Sequence, residues 1–239
     1  MRKIVLLAIF GAIVVFCPSN AFPKDRICNE KNKFAVENVC LLSGRPFSAM
    51  KMKIFVHEEK DFLFVEYASK IFFPFTLYFG CDEMMTVFQL NKEDRSISQA
   101  RVDYYLKGKK LKESYVLEID NGKNTGTFDN GKKISIDGGA GTQDLILEMI
   151  ILADRLSKGE AVDSRRYNFF NGLTKKMTKV EMVGRGQAGG EFLFDLNSSA
   201  AEGVYGMKKN DQGILKISED GRLEYFQIGS SMKFVFSNE

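Results

Sequence analysis

Thr142 to Leu156 reads Thr-Gln-Asp-Leu-Ile-Leu-Glu-Met-Ile-Ile-Leu-Ala-Asp-Arg-Leu, and beyond the first twenty-odd residues it is the one stretch with helical periodicity. At about 100° per residue, Leu145, Met149, Leu152, Ala153 and Leu156 share one side, while Ile146, Leu147, Ile150 and Ile151 carry the apolar surface most of the way round. A helix this apolar has to be covered by other elements. Thr142 is the expected N-cap, Asp144 suits the positive helix start, Arg155 and Lys158 suit the end, and Gly159 suits the left-handed C′ position. Strands and turns occupy the chain on both sides. The expected fold is therefore mainly β: a curved antiparallel sheet, half-barrel or open barrel, around one central apolar helix spanning 142–157.

Met1 to Ala21 has the layout of an export signal. Arg2 and Lys3 precede the apolar run Ile4 to Phe16, and Ser19-Asn20-Ala21 places small residues where a signal peptidase cuts. The run falls short of the about 20 residues a membrane span needs. Lipid attachment at Cys17 is disfavoured because bulky Phe16 stands where lipoprotein signals carry a small residue. The expected location is periplasmic, with residues 1–21 removed, an irregular polar segment over 22–48 (most clearly Phe22 to Val36), and one antiparallel β domain over 49–239.

Arg2 and Lys3 account for two of the three net positive charges of the chain, so the remainder carries about +1 with its signs mixed. Phosphate backbones are held by concentrated positive faces, so nucleic acid is not an expected partner. After cleavage Cys28, Cys40 and Cys81 remain. Cys28 and Cys40 are the disulfide candidates, and closing so short a loop contributes roughly 3 kcal/mol at best. Cys81 is read either as a buried thiol beside the Phe-rich stretch or as a reactive cysteine. No Cys-x-x-Cys occurs and the chain has one histidine, so neither a metal site nor a cofactor is expected.

Strand signals follow at short intervals. Met50, Met52, Ile54 and Val56 alternate with Lys51, Lys53, Phe55 and His57, and Asp61 to Tyr67 reads as the next strand, apolar on both faces and so deep or near a lid. Further strands are expected at Met84 to Leu90, Ser98 to Leu106, Leu111 to Ile119, Lys123 to Phe128 and Lys132 to Ile136. Asn121-Gly122 and Asn130-Gly131 signal type I′ hairpins, which excludes parallel crossovers from this half. After the helix, strands are expected at Val162 to Phe170, Lys175 to Val183, Glu191 to Leu196, Gly203 to Lys208, Gly213 to Ser218, Leu223 to Ile228 and Met232 to Phe236. Their turns fall at Asn171-Gly172, Gly189-Gly190, Asp211-Gln212-Gly213 and Asp220-Gly221, and Gly184 to Gly190 reads as a loose connection.

Ile71-Phe72-Phe73-Pro74-Phe75-Thr76-Leu77-Tyr78-Phe79-Gly80 is the most apolar piece outside the leader. It is too short to span a bilayer, and Pro74 argues against a central strand. It reads either as an aromatic plug of the core or as a hydrophobic lip touching a membrane or guarding a cavity.

The meander, the single helix, the step Lys158-Gly159-Glu160 into a strand and the closing Gly213-Ile-Leu-Lys-Ile-Ser-Glu-Asp-Gly-Arg222 resemble the bacterial periplasmic family known as domain of unknown function 3108. The resemblance covers most of Ala49 to Phe236 and rests on turn and packing motifs. It departs at Thr142-Gln143-Asp144, where members carry Asp-Pro. It implies a half-barrel similar to envelope lipoprotein carriers, a curved sheet closed by helices over an apolar cavity. The family has no settled activity, so no catalytic residue is carried over.

Catalytic signals are weak. Gly138-Gly139-Ala140-Gly141-Thr142 lacks the Gly-Lys-Ser/Thr of a phosphate loop, and no Gly-x-Ser-x-Gly occurs. His57 reads as an exposed polar residue, and Glu118, Glu181 and Asp195 alternate with apolar neighbours as solvent-facing strand residues do. The expectation is a non-enzymatic envelope protein binding a lipid or acyl chain at Phe72, Phe73, Phe75, Tyr78, Phe79, Leu145 and Met149, with transient membrane contact. The alternative is a scaffold or interaction domain with a packed interior and an envelope protein as partner.

Overall fold

The computed structural model describes residues 33–42, 45–136, 141–161, 164–171, 176–188, 190–198, 211–219, 221–230 and 232–237. The export signal, Cys28 of the disulfide candidates, Gly138 to Ala140 and the strand expected at Gly203 to Lys208 lie outside these residues. The chain divides into two compact units, one built on Ser48–Thr142 and the other on Val39–Phe47 with Gln143–Val235. The division falls immediately before the apolar helix.

Strand β1 (Lys33–Leu42) corrects the irregular segment expected up to Val36. Val36, Asn38 and Cys40 form its buried row, and the polar Asn38 in that row broke the apolar alternation that marks a strand in sequence.

The Ser48–Thr142 unit is an antiparallel meander of β2 (Arg45–Glu59), β3 (Phe62–Ile71), β4 (Glu83–Asn91), β5 (Ile97–Leu106), β7 (Tyr115–Asp120), β8 (Thr125–Phe128) and β9 (Lys133–Ser135), each paired with the next named. The two-residue β6 (Lys109–Lys110) pairs back on β5. Register explains the core. Val56, Val65, Phe88, Ala100, Leu117 and Phe128 are successive cross-strand partners, so one row of apolar side chains crosses six strands. Between β3 and β4 the Phe-rich stretch forms a second helix, α1 (Phe75–Phe79), ending at Gly80 with φ +68°. The expectation of a single helix is thus corrected: Pro74, placed directly ahead of α1, is compatible with a helix start even where it forbids a strand.

The Asn-Gly hairpins form with different turns from those expected. Asn121 and Gly122 do not take the positive φ of a type I′ turn; that role falls to Asn124 at φ +54°. The Asp120 carboxylate accepts from the Lys123 backbone N–H at 3.0 Å, which favours the longer turn. Asn121 is held elsewhere: its Oδ1 accepts from Thr142 N–H and its Nδ2 donates to the Ile97 carbonyl, both at 3.0 Å. This bracket lays Gly141-Thr142 beside the start of β5. Gly141 has φ +66°, and a Cβ there would sit 2.9 Å from Ser96 Cβ, so the approach needs glycine.

The Gln143–Val235 unit holds α2 (Leu145–Ser157) and the antiparallel series β10 (Arg165–Asn171), β11 (Lys176–Ala188), β12 (Glu191–Ser198), β13 (Asp211–Ile217), β14 (Leu223–Ile228) and β15 (Met232–Ser237). Phe192, Leu215, Phe226 and Phe234 are cross-strand partners, and the last three are almost fully buried. Asp211-Gln212-Gly213 is strand rather than turn, pairing with Leu196, Asp195 and Phe194.

Asp144, not Thr142, caps α2: its carboxylate accepts from Leu147 N–H at 2.8 Å. Thr142 is committed to Asn121 and to Ile97 N–H, and Gln143 makes an isolated parallel bridge to Phe169, so the helix cannot begin until Asp144. At the other end Gly159 takes φ +76°, its N–H reaches Leu156 O and Glu160 N–H reaches Arg155 O, a Schellman motif. All five residues of the expected apolar face are buried. The expected architecture holds in its coarser part, mainly β and antiparallel. The helix lies against β13 and β14 of its own unit, which is a narrower position than the centre of one enclosing sheet.

Candidate functional site

Within the Gln143–Val235 unit a partly open groove of about 210 Å³ lies at the C-terminal end of α2. Leu156 and Ala161 form one side, and Phe192, Leu193 and Phe194 with Gly184 and Gly186 form the other; Glu160 and Gln187 supply the polar groups. Local sequence explains the space. Phe194 pairs with Gly184 on β11 and with Gly213 on β13, so both cross-strand neighbours of this ring lack a side chain. The register of β11 then slips between Gly184 and Gly186, leaving Arg185 as the extra residue of a bulge. The bulge turns Arg185 outward, where its guanidinium lies 3.5 Å from Asp195. Gly184 to Ala188 is therefore a bulged strand instead of the loose connection expected.

The groove has an apolar side and a polar mouth. Leu156 and Phe194 are buried, whereas Glu160 and Gln187 are exposed at the mouth. The Arg155 guanidinium bonds the Glu160 carboxylate, fixing that acid beside the end of α2.

The seven expected ligand contacts are not brought together in this groove. Leu145 and Met149 are almost fully buried inside the Gln143–Val235 unit. Phe72, Phe73, Phe75, Tyr78 and Phe79 belong to the Ser48–Thr142 unit, and the Phe-rich stretch has both buried and exposed side chains. Phe75 is 2% exposed and plugs the core, while Phe73 is 75% and Leu77 76% exposed. The residues that sequence reasoning missed were signalled by Gly184-Arg185-Gly186 inside a strand pattern, which is how a bulge announces itself.

The remaining candidates lie away from the groove lining. His57 is half-buried rather than exposed, stacked on its cross-strand partner Phe64 at 5.2 Å between ring centroids. Its Nε2 and Nδ1 lie 3.7 Å from Glu59 and 3.8 Å from Glu66, too long for hydrogen bonds. Glu181 accepts from Arg166 at 3.1 Å and from Ser164, and the Arg166 contact holds its carboxyl below the usual range. Glu118 is exposed on β7. Cys81 is fully buried, and burial with the Asp82 charge pushes its thiol up to about 11. Burial pushes the Cys40 thiol up to about 12. Tyr225 donates to Glu191 and carries Lys233 over its ring at 3.3 Å; desolvation, then Glu191, pushes its hydroxyl up to about 12. Among the described residues no group of three or more His, Cys, Asp or Glu side chains is placed to hold a metal ion, and no helix is long and apolar enough to cross a membrane.

No family model matches the chain, and no curated protein matches it. One solved structure that does match is a beta-barrel-like protein of domain of unknown function 1849 from Brucella abortus, at 11% identity and a TM-score of 0.47 over 86% of this chain and 95% of that one. The resemblance to domain of unknown function 3108 gains no support from these comparisons.

Proposed function

We propose that the protein is an exported, non-enzymatic protein of the bacterial envelope that holds an acyl chain or similar apolar group in the groove at the end of α2. The observation that carries this reading is the apolar lining of Leu156, Ala161, Phe192, Leu193 and Phe194, opened by glycines on both sides of Phe194. Drug-sized ligands occupy about 300–1,000 Å³. At about 210 Å³ the groove suits one chain segment, with Gln187 and the Arg155–Glu160 pair at its mouth. Export rests on Met1 to Ala21, and the resemblance to domain of unknown function 3108 fits the same compartment.

The second reading, a scaffold or interaction domain, is favoured by the helix itself: Leu145, Ile146, Leu147, Met149, Leu152 and Ala153 are all buried, as in a helix packed into a core. Native mass spectrometry of protein purified from its own envelope separates the two. A lipid-sized adduct lost in A161W, whose indole fills the groove, supports the acyl reading. A bare mass that no added fatty acid shifts overturns it.

A further inference from the structure

We infer that α1 and its flanking lysines form a lip that docks on an anionic lipid bilayer surface. Phe73 and Leu77 are the most exposed large apolar side chains among the described residues, and Leu106, at 40%, is exposed at the end of β5. Buried Phe75 and Cys81 fix the base of the segment, so the projecting side chains stand on a rigid footing. Large apolar side chains held out in this way mark a surface that meets something apolar.

Charge identifies the occupant. Lys51 and Lys70 are directly opposed across β2 and β3, both exposed, a like-charge pair whose two charges are met by the single acid Glu83 on the other flank of Lys70. On the other side, the β5–β6 hairpin presents Lys107 and Lys109, with Lys110 paired to Asp103. It is tied to the exit of α1 because Asp82, two residues beyond Gly80, accepts from Lys107 N–H at 3.0 Å. Two carboxylates here are engaged: Asp82 by that N–H, and Asp103 by Arg101 and Lys110. Glu83, across from Lys70, is half-buried, and it opposes this field together with Asp82, whose charge a backbone N–H leaves in place. The turn at the far end of β2 and β3 has the reverse sign, Glu58-Glu59-Lys60-Asp61. The sheet therefore presents lysines around its apolar lip and carboxylates at the opposite end, which orients the lip toward an anionic surface.

Size argues against a protein partner. A stable interface buries about 800 Å² per partner, and an aromatic side chain supplies about 150–250 Å². Phe73, Leu77 and Leu106 fall short of that area, whereas interfacial lipid binding needs only a few inserted side chains backed by lysines.

The chain has no tryptophan, so L77W places a single reporter on the lip. With vesicles containing about 30 mol% phosphatidylglycerol, its emission is expected to shift to the blue and to be quenched by brominated acyl chains. K60W, at the opposite end of the sheet, is expected to do neither. In flotation, F73S/L77S is expected to weaken vesicle binding about tenfold or more, and K51E/K70E to weaken it similarly while circular dichroism stays native. L77W emission that anionic vesicles leave unchanged overturns the proposal, as does equal flotation of wild type and F73S/L77S. Concentration-dependent self-association that F73S/L77S abolishes, without lipid binding, assigns the lip to a second copy and also overturns it. These results are independent of the groove, since A161W leaves α1 untouched.

Discussion

Cys81 shows how far a single residue is legible in the sequence. Its neighbours Phe79 and Gly80 announce an apolar setting, but only packing shows that the thiol is fully buried. A thiol pushed up to about 11 stays protonated in the native chain after the unfolded chain has begun to ionise near 9. The unfolded state then binds fewer protons, so this contribution is intact below pH 9 and lost as pH rises toward 11. The cost is about 1.4 kcal/mol per pH unit for this group. Urea midpoints measured at pH 8, 9.5 and 11 are expected to fall along the series, and C81A to fall less steeply. A midpoint flat to pH 11 would contradict the burial. Iodoacetamide at pH 8 is expected to label Cys81 only after denaturant is added. His57 was less legible: its stacking on Phe64 depends on a cross-strand register that sequence alone leaves open.

At the scale of elements, both ends of α2 can be compared with what their residue types promised. Gly159 was readable because a left-handed C′ residue is a local requirement, and the Schellman bonds form there. The N-cap was not readable, because Thr142 and Asp144 are both good caps and the choice is made by long-range bonds from Asn121 and Ile97. D144A is therefore expected to cost about 1 kcal/mol of unfolding free energy. The Thr142 hydroxyl is buried and has no hydrogen-bond partner among the described residues, so T142V is expected to cost nothing or to stabilise. Equilibrium denaturation of the two variants checks this, and a larger loss in T142V would restore Thr142 as the cap. The same logic covers the Asn-Gly turns. Their hairpin topology followed from local chemistry, whereas their turn type was decided by the Asp120 carboxylate and by the tether on Asn121.

For the whole molecule, the antiparallel order was legible because alternation and turn residues repeat at short intervals, although β1 escaped it; the groove was not, because it depends on two glycines meeting one phenylalanine across three strands. Composition also concealed the lip's charge, since a near-neutral total hides lysines at one end of a sheet and carboxylates at the other. A ligand seated in the groove stabilises the native chain by mass action, by about 2.7 kcal/mol at a hundredfold excess over Kd. For a chain of this size each kcal/mol raises Tm by about 2–4 °C, so a saturating fatty acid is expected to raise Tm by roughly 5–10 °C. A161W closes the space between Leu156 and Phe194 and is expected to hold its Tm constant under the same titration. Its indole, the chain's sole tryptophan, should already fluoresce as a buried ring without ligand. F73S/L77S, altered in the other unit, is expected to show the full wild-type shift in Tm. Equal shifts in wild type and A161W would place the fatty acid elsewhere on the protein and remove the groove as its site.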